Sequence, residues 1–168
     1  ILSYVLEGAL EHRDSLGNGS VIRPGEIQHM RAGAGVVHSE YNPSPIDPVH
    51  FLQIWIVPGK RNLAPSYGQY RFDPAAADAG FVLLASRDGR DGSVALQQDA
   101  DLWVTRLDGE AARTFDLRPG RAAWVHVARG SVVVNGRVLS DGDAASVSQE
   151  AITFTNGERA EVLVFDLA

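Results

Sequence analysis

The sequence predicts an all-β protein made of two barrel- or sandwich-like units. Three observations carry that reading. Short segments rich in Val, Ile, Leu, Tyr and Phe recur along the 168 residues. Gly, Asn, Asp and Pro punctuate them, and no long amphipathic helix interrupts the pattern. The third observation is an internal echo: "YVLEGALEH" followed by "PGE" resembles "VHVARGSVVV" followed by "DGD". In both copies an apolar strand meets a glycine (Gly8, Gly130), a second strand leaves, and a Gly-acid turn follows (Gly25-Glu26, Gly142-Asp143). This is the pattern of a duplicated β module, with a longer hairpin loop, "HRDSLGNGS", in the first copy.

The elements follow in order. "LSYVLEGALEHRD" reads as two strands meeting at Gly8. Ile1, Ser3 and Val5 share one face of the first strand, and Leu2, Tyr4 and Leu6 the other. A strand apolar on both faces belongs in the interior of a sheet. Domains seldom begin inside such a strand, so the sequence is expected to lack its beginning. "GSVIRPGEIQHMRAG", "GVVHSEYN" and "VHFLQIWIVP" continue the first unit, with turns at Gly17-Asn18-Gly19, Pro24-Gly25 and Asn42-Pro43-Ser44-Pro45. Residues 58–80 break the pattern and read as an irregular connection. Within it Asp73 caps one helical turn with Pro74 at the first helical position. The expected division is a first unit at 1–73, a connection at 74–94 and a second unit at 95–168. Later strands are "VALQQDADLWVTRLDG", "ARTFDLRPG", "AAWVHVARGSVVVNGRVLSDGDAASVS", "AITFTNG" and "AEVLVFDLA". Asn135-Gly136 between two of them is a strong two-residue hairpin signal.

Composition narrows the function classes. The net charge is −6, the pI is about 5.3, and no dense Lys/Arg run appears, which disfavours direct nucleic-acid binding. The absence of cysteine excludes disulfides, thiolate metal sites and a Cys nucleophile. No apolar run reaches membrane-spanning length and no signal peptide is visible, so the expectation is a cytoplasmic protein without a membrane partner.

Chemistry concentrates in "GVVHSEYN". His38 and Glu40 lie two apart behind strand-forming Val36 and Val37, so in a strand they point the same way. An imidazole beside a carboxylate suits two ligands of a metal or an acid/base pair.

At these residues the chain resembles the cupins, and within them the pirin family. "YVLEGALEHRDSLGNG", "PGEIQHMRAGAGVVHSEYNPS", "LQIWIVP" and "YRFDP" look like consecutive pirin blocks. "GRAAWVHVARGSVVVNG" through "SDGDAA" to "EVLVFDL" looks like the pirin C-terminal cupin. The chain is similar most of all to the bacterial pirin-like quercetin 2,3-dioxygenases. The resemblance implies a bicupin, two jelly-roll barrels, of which the second holds no metal. It also implies one Fe(II), or another divalent metal, held by three His and one Glu. A flavonol such as quercetin, or another aromatic substrate, would bind there and have its central ring opened. His38 and Glu40 match the family's HSE pair, and Glu40 could also take a substrate hydroxyl proton. The family's other two His form an HxH motif upstream of the segment that begins here "ILSYVLEG", and these 168 residues contain no HxH. The first barrel is therefore expected to be incomplete, with half its metal ligands absent. The expectation is a monomer if the protein is longer, and a metal-poor, strand-exchanged dimer if it is not. The alternative function is that of an iron-binding regulatory protein that docks on partners without turnover.

Other residues have plainer readings. His50 heads an apolar run and suits a buried histidine as well as a pocket wall. Gln53 and Trp55 share a strand face, with either face able to line a cavity. Tyr4 and Leu6 suit ordinary core. His12, among charged hairpin residues, reads as solvated surface. His29 reads as a strand or loop residue, and His126 as a C-terminal barrel residue without metal partners. Arg87, Asp88, Arg90 and Asp91 read as a solvated loop.

Overall fold

The computed structural model describes residues 1–168. The all-β expectation holds. The strands are β1 (Leu2–Glu7), β2 (Leu10–Asp14), β3 (Gly19–Ile22), β4 (Glu26–Arg31), β5 (His38–Tyr41), β6 (His50–Ile54), β7 (Ser66–Arg71), β8 (Val82–Ser86), β9 (Val94–Ala95), β10 (Ala100–Gly109), β11 (Arg113–Phe115), β12 (Ala122–Val134), β13 (Arg137–Ser140), β14 (Ala144–Ser148) and β15 (Ile152–Leu167). One short helix, α1 (Pro74–Ala79), and a 3₁₀ turn at Arg90–Gly92 complete the chain. Asp73 caps α1 as expected, its carboxylate accepting from the Ala75 N–H at 2.9 Å with Pro74 next to it.

The chain divides into two compact units, Ile1–Phe72 with Asp88–Gln98, and Asp73–Arg87 with Asp99–Ala168. The 74–94 segment is thus itself structured, with α1 and β8 belonging to the second unit and its later residues to the first. The irregular reading of 58–80 is corrected in part. "SYGQYR" forms β7 and pairs antiparallel with β4 from Glu26↔Arg71 to Arg31↔Ser66. Gly68 and Gln69 weaken its local β signal, and pairing with β4 overrides that.

The first unit holds two sheets, β6-β1-β4-β7 and β3-β2-β5. β1 is interior, as its two apolar faces predict, and Leu2 through Leu6 are all buried. At Gly8 the chain turns from β1 to β2 with φ +74°. A Cβ there would lie 2.2 Å from the Pro48 carbonyl oxygen, so only glycine fits.

The second unit orders its main sheet β13-β12-β15-β10-β8, with β11 on β15 and β14 on β12. Its interior is apolar: Val125, Val127, Val134, Ile152, Phe154, Val162 and Val164 are buried together. The Asn135-Gly136 hairpin forms with both residues left-handed (φ 44° and 80°), the type I′ geometry that the dipeptide favours. Arg121 ties Asp166 of β15 to Asp99, and Arg118 reaches Asp166 and Asp101.

The echo between the units is real at the level of hydrogen bonds. In "RPGE" the Arg23 N–H donates to the Glu26 carboxylate at 2.7 Å, and the Glu26 N–H returns to the Arg23 carbonyl at 3.0 Å. In "SDGD" the Ser140 N–H donates to the Asp143 carboxylate at 2.9 Å, and the Asp143 N–H returns to the Ser140 carbonyl at 2.8 Å. Gly130 repeats Gly8, with φ +69° and a Cβ position 2.2 Å from the Glu158 carbonyl oxygen.

Candidate functional site

The register of the first unit sorts its inward side chains into layers. Val5, Leu10 and Ile22 form an apolar floor with Val49 and Phe51 packed on it. One pleat along each strand, the side chains turn polar. Gln53, Ser3 and Gln28 are direct partners across β6, β1 and β4. Ser20, His12 and Glu40 are direct partners across β3, β2 and β5. The next rung outward carries Asp14 opposite His38. Alternation along β1 therefore sends Ser3 toward this layer and Tyr4 to the other face, where Tyr4 stacks on Phe72 at 6.2 Å.

Glu40 is the hub of the polar layer. Its Oε1 accepts from Ser3 Oγ at 3.0 Å and from Gln28 Nε2 at 2.8 Å, and its Oε2 accepts from Gln53 Nε2 at 2.8 Å. Three neutral donors from three adjacent strands fix the carboxylate, and none of them neutralises it. Gln28 is almost wholly buried, and its Oε1 accepts from the Tyr67 hydroxyl at 3.2 Å, which also bonds Ser20. Burial raises the Tyr67 phenol above its ordinary value, which keeps it protonated as a donor.

His12 corrects the surface reading. It is 0% exposed, in the centre of this network. Its Nε2 faces Asp14 Oδ2 at 3.2 Å and its Nδ1 faces Gln28 Nε2 at 3.3 Å. Burial alone would raise the Asp14 carboxyl. Bonds from the Asn18 side chain, from His12 and from the Asn18 and Leu16 N–H groups outweigh that and hold it down to about 2. An ionised Asp14 only accepts, so His12 Nε2 carries a proton and donates to it, while Nδ1 faces the Gln28 amide at 3.3 Å and the Glu40 carboxylate at 3.7 Å. Its ring stacks on His38 at 5.8 Å and on Tyr67 at 4.9 Å. The charged neighbours Glu11 and Arg13 mislead, because they point outward and pair with each other at 2.9 Å. The two-residue spacing of His12 behind buried Leu10 is the signal that finds it.

His38 and Glu40 lie on one face of β5, as the spacing predicts, and both are partly shielded while Ser39 and Tyr41 are exposed. Of the two readings of His50, a buried histidine or a pocket wall, the buried one is corrected, since His50 heads β6 exposed. Of the two faces of "HFLQIWIVP", the Gln53 face meets the site. His29 is a buried β4 residue on the opposite face from Gln28, and burial lowers it to about 4. His126 lies partly buried in β12, lowered by burial.

Imidazole nitrogen and carboxylate oxygen suit a divalent transition metal. However, no three His, Asp or Glu side chains gather closely enough to hold one. His12 is nearest, but both its nitrogens are engaged by Asp14 and Gln28. His38 and Glu40 by themselves would not complete a metal's coordination shell.

Comparison with known proteins decides the family. Residues 1–56 match the Pirin family model, and residues 83–167 match that of the quercetinase C-terminal cupin domain. The chain is 41% identical over 168 residues to the quercetin 2,3-dioxygenase of Escherichia coli K12, covering 99% of this chain and 71% of that protein. It belongs to the pirin family. Among solved structures, YhhW of Escherichia coli superposes with a TM-score of 0.93 at 40% identity, covering 99% of this chain and 70% of that one. The bacterial pirin YhhW in complex with nickel(II) gives 0.91 over 99% of this chain and 71% of that one. The two units are thus cupins, and a related pirin binds a metal. No helix is long and apolar enough to cross a membrane.

Proposed function

We propose that this pirin is a metal-dependent dioxygenase that opens the central ring of flavonols such as quercetin. In this reading His38 and Glu40 are two of the protein ligands of an Fe(II) ion. The observation that carries it is the fixed Glu40 carboxylate beside His38, in a chain 41% identical to a quercetin 2,3-dioxygenase. The nickel(II) complex of the related pirin YhhW supports a metal-dependent reading. The remaining ligands would come from an HxH motif that these 168 residues do not contain. Activation of dioxygen and of the flavonol is the chemistry such a metal supplies when bound.

This chain's own residues orient and exclude. A carboxylate oxygen has two lone-pair directions. Ser3 and Gln28 occupy both on Oε1, while Gln53 takes one on Oε2. The open direction is on Oε2. There Glu40 can ligate a metal or accept a proton from a flavonol hydroxyl, and two lone pairs tied up on Oε1 prevent the carboxylate from rotating away. The apolar floor of Val5, Leu10 and Ile22 denies water a place beneath the reacting groups. The test is oxygen-dependent loss of the quercetin absorbance with the iron-loaded full chain. Stoichiometric iron without flavonol consumption would overturn the enzymatic reading.

A further inference from the structure

We propose that Trp55 is the specificity-determining residue of this site, an aromatic platform for the flat ring of the substrate that also positions Glu40 through Gln53. The proposal rests on the flavonol reading above and names the residue that selects for an aromatic substrate.

The placement follows from the strand. Phe51 and Gln53 lie on one face of β6 by alternation, running from the apolar floor to the polar layer, and Trp55, one residue past the strand, is joined to Gln53 by its indole N–H. Phe51 packs on the floor, Gln53 meets Glu40, and Trp55 follows the end of β6. Trp55 is 74% exposed, so most of its indole surface is available. Yet the ring is not free to swing, since its Nε1–H donates to Gln53 Oε1 at 3.2 Å. An exposed tryptophan usually needs no explanation. One tethered by its single polar atom to a residue that holds the site carboxylate does.

The tether also decides how Gln53 is oriented. The two ends of a glutamine amide are nearly interchangeable in shape. The indole N–H can only donate, so Gln53 Oε1 must face Trp55 and its Nε2 must face Glu40. That Nε2 donates to Oε2, the oxygen with the open lone-pair direction. A planar ring stacked on Trp55 therefore lies two hydrogen bonds away from the acceptor that would take its hydroxyl proton. Offset stacking on an indole favours a flat, electron-rich ring over an aliphatic one.

Two substitutions separate the two roles. Trp55→Ala removes both platform and tether. Trp55→Phe keeps an aromatic face but cannot donate to Gln53. Anaerobic titration of the full chain with quercetin, read by intrinsic fluorescence, reports on the indole directly, because only Trp103 and Trp124 remain after either substitution. The expected result is saturable quenching in the wild type, most of it lost in Trp55→Phe even though affinity changes less than about 3-fold. Trp55→Ala should weaken binding about 10-fold. In turnover, Trp55→Ala should raise KM, whereas Trp55→Phe should lower kcat with KM nearly unchanged. Because the residue is exposed, both variants should keep the wild-type melting temperature. If quercetin binds Trp55→Ala as tightly as wild type, the platform is refuted and the flavonol reading stands. If kcat of Trp55→Phe equals wild type, the positioning role is refuted. If the wild type neither binds nor consumes quercetin, both the functional reading and the proposal are overturned.

Discussion

Replacing Gln28 by Leu would test the polar layer at its most connected point. Gln28 is 1% exposed and touches three groups. Its bond to the Glu40 carboxylate at 2.8 Å is charge-assisted, while those to His12 at 3.3 Å and Tyr67 at 3.2 Å are longer. Loss of the first costs about 2 kcal/mol and loss of the other two about 0.5 kcal/mol each. Glu40 Oε1 keeps Ser3, and Tyr67 keeps Ser20. His12 Nδ1 loses its hydrogen-bond partner, which adds about 1 kcal/mol for a buried polar nitrogen left unpaired. Leucine's own burial offsets about 1 kcal/mol of this total. The net loss is about 3 kcal/mol, measured as a lower urea midpoint with an unchanged slope. Gln28→Glu keeps the size but sets a second carboxylate against Glu40. It should be destabilised further, and less at pH 5 than at pH 7, because one shared proton relieves the repulsion. A Gln28→Leu protein within about 0.5 kcal/mol of wild type would behave like a surface substitution and would refute the network account.

Two further predictions concern the frame of the first unit. His29 is buried and lowered to about 4, so the folded protein keeps it neutral where the unfolded chain, near 6.5, takes up a proton. Its contribution is complete above pH 6.5 and is lost as pH falls toward 4, about 3 kcal/mol over that window. His29→Gln should flatten the urea-measured stability profile between those pH values, and an unchanged slope would contradict the assignment. Gly8→Ala forces a methyl to within 2.2 Å of the Pro48 carbonyl at φ +74°, and should lower the melting temperature by 10 °C or more, on the order of 3 kcal/mol. A Gly17→Ala control, with φ +89° but nothing near its Cβ, should be markedly milder.

Much of this was legible in the sequence because it is local or periodic. Two apolar faces marked β1 as interior, Asn135-Gly136 marked its hairpin, and a two-residue spacing put His38 and Glu40 on one face. The polar layer was hidden because it is made of direct partners from strands far apart in the chain. Ser3, Gln28 and Gln53 carry no charge and no spacing that marks them as a set, and only the register of β6, β1 and β4 aligns them beneath Glu40. His12 was masked by Glu11 and Arg13, whose charges describe the outward face of β2 and not the face His12 occupies. Strand β7 was masked by loop-like composition, since its pairing with β4 is a tertiary fact.

The central claim is that His38 and Glu40 hold a metal at which a flavonol is opened. The measurement that reaches it most directly is oxygen-dependent quercetin consumption, with metal content determined on the same samples, for the full-length iron-loaded wild type, His38→Ala and His126→Ala. The account predicts turnover and iron in the wild type and in His126→Ala. It predicts loss of both in His38→Ala, with the β-sheet circular dichroism unchanged. A His38→Ala protein that retained its full iron content and its full turnover would contradict it.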